Sequence, residues 1–357
     1  MSRRSTFVAE AQGLARQIAD TVDRPVTLME VCGTHAHQFA RYGLGQMLPA
    51  QVELLSGPGC PVCVTSAGEI DAALELARLP GITIATFGDM VRVPGSDSTL
   101  AHERARGADV RVVFSPMEAV ELARKCDRQV VLLGIGFETT TPGVAVAVRE
   151  AKLLGLTNFS IMAAQKRLMP ALAALMSAED VSIHGLLAPG HVSTIIGAGA
   201  YRDFVAVHRV PCVIAGFEPD QILCGVLALV QQIAAGRAEV GNEYQVAVAE
   251  DGNPRALGAI EETFQSADSQ WRGLGVIPAS GLALREEYAE FDALARFGID
   301  LPESREHPSC RCGEVLRGSI RPPECSAFGA ACTPEHPLGP CMVSSEGACA
   351  AVYRYET

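Results

Sequence analysis

The sequence has few aromatic residues and no long apolar run. Phe, Trp and Tyr together make up 5% of the 357 residues. The longest apolar runs, such as VVLLGIGF from Val130, fall far short of the roughly 18 residues that cross a bilayer. The N-terminal stretch MSRRSTFVAEAQ lacks the apolar core of a secretory signal. We therefore expect a soluble, cytoplasmic protein without a membrane partner.

The sequence is also poor in positive charge. The 29 Lys and Arg residues face 41 Asp and Glu residues, which gives a net charge of −12. This balance disfavours a nucleic-acid surface and favours proteins or small molecules as partners. With 48% apolar and 20% charged residues, the chain has the composition of a well-cored globular protein.

Short β-branched apolar runs alternate with amphipathic segments over the first two thirds of the chain, which is typical of parallel sheets covered by helices. AGEIDAALELARL from Ala67 and PMEAVELARK from Pro116 have the pattern of crossover helices. The pattern predicts an α/β fold with seven strands at 26–31, 82–87, 110–114, 130–136, 159–164, 183–188 and 212–217.

Seven strands with their helices exceed a comfortable single open sheet, so we expect two similar parallel-sheet α/β domains, at 1–120 and 121–240. A third domain, at 241–357, is expected to be mainly helical and irregular and rich in cysteine. Its segments AEDGNPRALGAIEETF and ASGLALREEYAEFDALARFG have helical periodicity. From Pro302 onward the chain has too few bulky aliphatic residues for a core of its own, so another element must hold it together.

Twelve cysteines in a cytoplasmic chain predict metal binding or redox chemistry rather than a disulfide framework. Paired C-x-x-C knuckles of a structural zinc site are missing from the tail. An iron–sulfur cluster tolerates irregular spacing, so the tail favours a [4Fe-4S] cluster over zinc, and zinc over disulfides. The cluster takes four of six thiols, with Cys325 and Cys332 the firmest candidates among Cys310, Cys312, Cys325, Cys332, Cys341 and Cys349.

A first candidate site follows the first predicted strand, in the sequence EVCGTHAH. Cys32 stands at the carboxyl end of the strand, where open α/β sheets bind their ligands. His35 and His37 follow within five residues of the thiol, and one of the two is expected to be a capping or packing residue. A nearby imidazolium or helix N-terminus lowers a thiol pKa, so we expect Cys32 to form a thiolate readily.

The stretch GPGCPVC places Cys60 and Cys63 at another turn that leads into a helix. Such a pair either closes reversibly to a disulfide or presents two thiolates to one ion. Two inert core cysteines are disfavoured, because the surrounding glycines and prolines specify a backbone that a core segment avoids. Together with Cys32, the pair offers three soft ligands to iron, copper(I) or zinc.

Two further motifs end predicted strands. GFETTTP, from Gly136, lacks the third glycine and the lysine of nucleotide-binding loops, which disfavours nucleotide binding. Its Glu138 either caps a helix or transfers protons near the thiols. His191 in PGHVS begins a helix, where a lone histidine is more often a capping or packing residue than a ligand.

Taken together, CGTHAH, GPGCPVC, FGDMVRVPGS, GFETTTP, PGHVS and CTPEHPLGPCMVSSEGACAA make a specific set. Along nearly its whole length the sequence resembles the HypD family of hydrogenase maturation factors. The resemblance implies two similar α/β domains and a third with a [4Fe-4S] cluster beside the C-x-x-C pair, similar to ferredoxin-thioredoxin reductase.

The resemblance also implies a scaffold with redox activity rather than a conventional turnover enzyme. With a HypC-type chaperone, such a scaffold holds Fe(II) while it acquires two cyanides from a HypE-type carrier and one carbon monoxide. The iron group then passes to the large-subunit precursor of a [NiFe] hydrogenase. Cys32 is the implied iron ligand, shared with HypC, and Cys60 and Cys63 are further ligands or an electron-donating dithiol. His35, Glu138 and His191 are candidates for hydrogen bonding to cyanide or for proton delivery.

Two other functions fit the residues. One is a freestanding thiol-disulfide oxidoreductase fed by the cluster, which needs no second iron site and no HypC. The other is a zinc-binding interaction protein, which would be colourless.

Overall fold

The computed structural model describes residues 3–178, 181–303 and 305–356. Met1, Ser2 and Thr357, which belong to the expected domain ranges, lie outside these residues. The strands of the described residues are β1 Val26–Glu30, β2 Val52–Ser56, β3 Ile82–Thr86, β4 Asp109–Val112, β5 Gln129–Gly136, β6 Phe159–Gln165, β7 Gly185–Pro189, β8 Cys212–Ala215, β9 Val240–Asn242, β10 Phe264–Trp271 and β11 Gly275–Leu284.

The α-helices of the same residues range from single turns to segments of five turns. They are α1 Arg3–Thr21, α2 Gly33–Arg41, α3 Pro61–Val64, α4 Ala67–Arg78, α5 Leu100–Ala105, α6 Pro116–Lys125, α7 Thr141–Leu153, α8 Leu168–Met176, α9 Gly190–Ile196, α10 Arg202–His208, α11 Pro219–Ala234, α12 Pro254–Thr263, α13 Ala293–Phe297, α14 Cys312–Arg317, α15 Pro340–Val343 and α16 Ala348–Tyr355.

A parallel five-stranded sheet has the strand order β2-β1-β7-β8-β9. Its central strands are buried on both faces, as apolar strands between two helical layers must be. Leu28 in β1 pairs with Leu54 in β2 and with Gly185 in β7. Helices α1 and α11 pack against each other and close one apolar core of this sheet.

A second parallel sheet has the strand order β4-β3-β5-β6. Two separate apolar cores contain residues of this sheet. One includes residues of α4 and α5, and the other includes residues of α6 and α7. The expected fold class, two parallel-sheet α/β units with a cysteine-rich region, is confirmed.

The chain enters the first sheet with β1 and β2, builds the whole second sheet, and returns to the first with β7. The boundary expected near residue 120 therefore falls inside the second sheet, because β3 hydrogen-bonds directly to β5, with Thr83 opposite Val130. The ranges 1–120 and 121–240 do not separate the two sheets. All seven predicted strands are present, and β2 and β9 are added to them.

The segment after β9 departs from the expected helices. Helix α12 is present, but the stretch from Ala279 begins in β11 rather than in a helix. Strands β10 and β11 form an antiparallel hairpin with an irregularity between Ala267 and Ser269. The buried Trp271 and Ile277 anchor this hairpin in the protein, and packing of this kind overrides helical periodicity.

Short helices form the tail. Helix α16 packs on α2, and α15 packs on α3, so the tail lies against the segments that follow β1 and β2. Its own apolar core is small and contains Ala327, Cys332 and Met342. None of the helices in the described residues is long and apolar enough to cross a membrane.

Candidate functional site

Cys32 lies two residues after the end of β1 and is the residue before helix α2. Its backbone N–H donates to Oε2 of Glu30 at 2.8 Å, and the Gly33 N–H donates to the Gly59 carbonyl at 3.0 Å. A Cβ at position 59 would collide with the Cys32 backbone nitrogen. Glycine at this position therefore lets the GPGCPVC loop lie directly on the backbone of Cys32.

Cys60 and Cys63 form a reduced, buried pair. Cys60 precedes the four-residue helix α3, and its Sγ accepts a hydrogen bond from the Cys63 N–H at 3.2 Å. The two residues are 3% and 0% exposed, and both are free thiols. Burial raises the pKa of Cys63 well above its ordinary value, and the neighbouring Cys60 adds to the rise.

The pKa of Cys32 is also raised, to about 12, mainly by burial and then by the charge of Glu30. The N–H groups of Thr34 and His35 at the start of α2 act in the opposite direction but do not prevail. The expectation that a helix N-terminus or a histidine makes Cys32 a ready thiolate is therefore wrong, because desolvation outweighs these contributions.

The rings of His35 and His191 both contact one aromatic ring, that of Phe217. The His35 ring is 5.2 Å from Phe217 and the His191 ring is 3.8 Å from it. His35 is fully buried, and burial lowers its pKa to about 4, so the ring is neutral. Its Nε2 donates to the Gly216 carbonyl at 2.8 Å, which leaves the buried Nδ1 without a partner.

Strands β1, β7 and β8 lead to these histidines from the same edge of the first sheet. Cys32 follows β1, His191 lies in the helix after β7, and Phe217 follows β8. Because these strands are parallel and adjacent, their carboxyl ends bring the three residues together. Phe217 was not predicted, since one aromatic residue after a strand has no distinguishing pattern.

Two carboxyl groups at this site were also missed. Thr34 donates to Oε1 of Glu346 at 2.7 Å. A Cβ at Gly33 would lie 2.6 Å from the Glu346 Cβ and 3.2 Å from the Cys60 Cβ. Gly33 is therefore the point at which α2, the Cys60 loop and the tail converge. Glu30, on the buried side of Cys32, has its pKa raised to about 8 by burial.

A weak signal for these carboxyl groups exists in the sequence. Glu30 stands two residues before Cys32, and Glu346 stands three residues before Cys349. The charge of Glu346 contributes to the raised pKa values of Cys32 and Cys63, after burial as the main cause. It acts against the burial that lowers the pKa of His191.

Glu138 lines a cavity that has no cysteine among the described residues that line it. Its Oε1 accepts the Leu168 N–H at 2.9 Å, and its Oε2 is buried without a partner. It lines a cavity of about 430 Å³ together with Arg167, Phe264 and residues of α12. Burial raises its pKa to about 7. A role for Glu138 beside the thiols stays a prediction.

The tail cysteines surround one apolar cavity. Val315, Ala327, Phe328 and Met342 form much of its wall. Cys312 and Cys341 are joined as a disulfide, and the ranking of cluster, zinc and disulfides in the tail stays a prediction. The thiols that line the same cavity and remain free are Cys310, Cys325, Cys332 and Cys349.

These thiols are close enough to interact electrostatically. Burial raises the pKa of Cys349, and Cys310, Cys332 and Cys325 raise it further. Within the described ranges, no three His, Cys, Asp or Glu side chains are gathered as a site for a single metal ion. Four thiols around an apolar cavity are a suitable donor set for a [4Fe-4S] cluster, which is larger than one ion.

The two sets of thiols share one hydrophobic core. This core contains Cys60 and Cys63 from the first set and Cys312 and Cys341 from the tail, with Cys349 packed against it. The charge of Cys349 is also among the causes of the raised pKa of Cys63. The structure thus brings the predicted thiols of both ends of the chain into one continuous region.

The profile of the HypD family, described as the hydrogenase formation hypA family, matches residues 9–356 of the chain. The chain belongs to the HypD family of hydrogenase maturation factors. It is 46% identical to the hydrogenase maturation factor HypD of Azotobacter vinelandii, over 97% of the chain and 94% of that protein.

Two other relatives are similar to the chain to the same extent. The HypD of Escherichia coli K12 is 46% identical over 96% of the chain and 92% of its own length. The HypD of Rhodobacter capsulatus is 44% identical over 98% of the chain and 94% of its own length. The similarity thus spans both sheets and the tail.

Proposed function

We propose that the chain is the scaffold on which the Fe(CN)₂CO group of [NiFe] hydrogenases is assembled. The observation behind this proposal is the continuity of Cys32, the Cys60–Cys63 pair and the tail thiols across one buried region. A HypC-type chaperone completes the iron site, and a HypE-type carrier supplies cyanide. The finished group is destined for the hydrogenase large-subunit precursor.

Cys32 is the proposed anchor of the iron substrate, with Cys60 and Cys63 as further ligands. Soft thiolates suit an Fe(II) ion that binds cyanide and carbon monoxide. Since burial raises the pKa values of Cys32 and Cys63, these thiols lose their protons when the metal arrives, and binding releases protons. Binding of iron is thus coupled to the charge state of these two thiols.

His35 and His191 lie at the same edge of the first sheet as Cys32. The neutral His35 has an unpartnered Nδ1, which accepts a hydrogen bond from a protonated ligand because Nε2 holds the ring proton for Gly216. The exposed His191 is suited to exchange protons with solvent. Phe217 fixes the distance of each ring from the other by contacting both.

Cyanide arrives on the carrier as a thiocyanate, and its release consumes two electrons. Closure of the Cys60–Cys63 dithiol to a disulfide yields two electrons and two protons. The sulfur–carbon bond of the thiocyanate breaks, the carrier is left as a thiol, and cyanide binds iron after losing its proton. The Cys63 N–H donates to the Cys60 sulfur, so the two residues lie close enough together to support this closure.

The tail is proposed to hold a [4Fe-4S] cluster through Cys310, Cys325, Cys332 and Cys349. When bound, the cluster supplies electrons one at a time. The Cys312–Cys341 disulfide lies in the same core as Cys60 and Cys63. It can exchange with a dithiol, because a thiolate attacks a disulfide sulfur directly.

The test begins with iron, acid-labile sulfide and zinc in anaerobically purified protein, together with Mössbauer spectra. About four iron and four sulfide per chain support the cluster. In complex with HypC, C32A should lose the infrared bands of iron-bound cyanide, whereas C224A, outside the thiol region, should keep them. Zinc without sulfide, or cyanide bands unchanged in C32A, would contradict the proposal.

A freestanding thiol-disulfide oxidoreductase is the second candidate. The disulfide beside a reduced dithiol in one core favours it. It predicts steady turnover of a disulfide substrate by the chain alone, fed by a one-electron donor. Turnover that requires HypC, or none at all, removes this candidate.

A further inference from the structure

Two cationic side chains are buried in the parts of the chain that the structure describes, Lys166 and Arg272. Lys166 is paired, since its Nζ lies 2.6 Å from the Glu69 carboxylate and also bonds to Ser269 and to the Gln270 carbonyl. Arg272 is 3% exposed, and the nearest carboxylate, of Glu306, is 3.8 Å from its Nη1. The buried Nη2 of Arg272 has no partner.

Arg272 follows β10 at the tip of the hairpin and holds the end of the Cys60–Cys63 helix. Its backbone N–H donates to the Val64 carbonyl at 2.9 Å, and its Nε donates to the Thr65 carbonyl at 3.0 Å. These carbonyls come directly after Cys63. The guanidinium therefore fixes the segment in which the dithiol ends.

The other side of the same turn contacts the tail. Gly273 packs against Gly313, the residue after Cys312, so closely that a Cβ on either would collide with the other. Arg272, directly before Gly273, thus lies between the dithiol helix and the tail segment that contains Cys310 and Cys312.

An arginine stays protonated in proteins, and a buried charge needs an opposite charge nearby. Glu306 balances the charge of Arg272 only in part, since its carboxylate is 3.8 Å from Nη1 and 31% exposed, and Nη2 has no partner. Four thiolates around a [4Fe-4S] core carry a net negative charge, which grows on reduction. The potential of such a cluster depends on net charge, hydrogen bonds to sulfur and solvent exposure.

We propose that Arg272 is a positioning residue that holds the Cys60–Cys63 helix with one edge and stabilises the reduced tail cluster with its buried charge. The inference rests on the cluster of the proposed function. It predicts that Arg272 raises the reduction potential of the cluster and so sets the direction in which electrons pass between the tail and the dithiol.

The experiment is a redox titration of full-length, anaerobically purified protein followed by electron paramagnetic resonance. R272Q should lower the equilibrium constant for one-electron reduction about tenfold, which is about 59 mV. R272K keeps the charge and should restore most of the potential. R317Q is the matched control, because Arg317 bonds to the carbonyl of the same turn at Gly273 but is only half-buried, and water screens its charge.

E306Q is the second variant. It removes the carboxylate nearest to Arg272 and should shift the potential in the positive direction, opposite to R272Q. If R272Q holds no cluster, the E306Q result decides: a positive shift supports the proposal and an unchanged potential overturns it. A normal cluster with the wild-type potential in R272Q overturns this inference alone, whereas wild-type protein without acid-labile sulfide overturns the proposed cluster as well.

Discussion

The site around Cys32 and the cavity in the tail both contain thiols but are built in different ways. The Cys32 site lies at the carboxyl ends of β1, β2, β7 and β8, which belong to a buried parallel sheet. The tail consists of one- and two-turn helices around a small apolar core. Regular elements therefore determine the shape of the Cys32 site, whereas in the tail the cysteines themselves must hold the chain together.

The first way to test this difference is to remove one tail thiol. We expect C332A to reduce bound iron and sulfide at least tenfold from the about four of each that a cluster requires. Amide hydrogen exchange should become fast over residues 310–356 and stay slow in β5 and β7. C126A, which removes a thiol outside both regions, should change neither measurement. Full cluster content in C332A would contradict the proposed ligand set.

The converse change destabilises the sheet region, at the buried ion pair between α4 and the residue after β6, and leaves the tail unchanged. E69Q leaves Lys166 buried without its 2.6 Å carboxylate partner. Breaking a buried pair of this kind costs about 4 kcal/mol in the free energy of unfolding. Urea unfolding should show the loss, while the iron and sulfide content of the folded protein stays at the wild-type value.

The control for E69Q is a surface ion pair. Arg149 and Glu262 approach to 2.7 Å, but their side chains are 45% and 60% exposed. E262Q should therefore change the free energy of unfolding by less than about 1 kcal/mol. Equal losses in the two variants would show that burial does not govern the strength of the Lys166 pair.

The contact between the two regions is tested at Gly59. G59A places a methyl group against the Cys32 backbone, and such overpacking costs about 3 kcal/mol. Alkylation of Cys32 should accelerate, because the Cys60 loop must move away. G258A, in α12 where no atom lies within 4 Å of an added Cβ, should instead stabilise the protein by up to about 1 kcal/mol. An unperturbed Cys32 in G59A would contradict the close packing.

The comparison also explains which features the sequence reveals. Strands such as 130–136 were predicted because short continuous apolar runs that alternate with helical segments are typical of buried parallel strands. The expected division at residue 120 does not coincide with the boundary between the sheets, because the return of β7 to β1 is a long-range pairing that no local pattern contains. Hairpin β10–β11 was missed for a similar reason, since its stability comes from burial of Trp271 against Phe137.

The residues of the candidate site also divide into those with a local sequence signal and those without one. Cys32, Cys60 and Cys63 were identified because their spacing and the surrounding glycines are local. Glu346 and Phe217 were not, since they reach Cys32 from positions more than 180 residues away. The raised pKa of Cys32 was also missed, because burial in the folded protein has no counterpart in the motif.

The smallest predicted effect concerns Glu138, which belongs to neither set of thiols. Its pKa is raised from 4.5 to about 7 by burial, so between these pH values the folded state binds more protons than the unfolded state. Stability is therefore greatest at the acidic end and falls as the pH rises from about 4.5 to about 7. Because a single group titrates, this slope does not exceed about 1.4 kcal/mol for each pH unit. Urea unfolding at several pH values should show a shallower slope in E138Q than in the wild type, since Glu30, whose pKa burial raises to about 8, titrates in both proteins. Equal slopes in the two proteins would assign the titration to other buried groups.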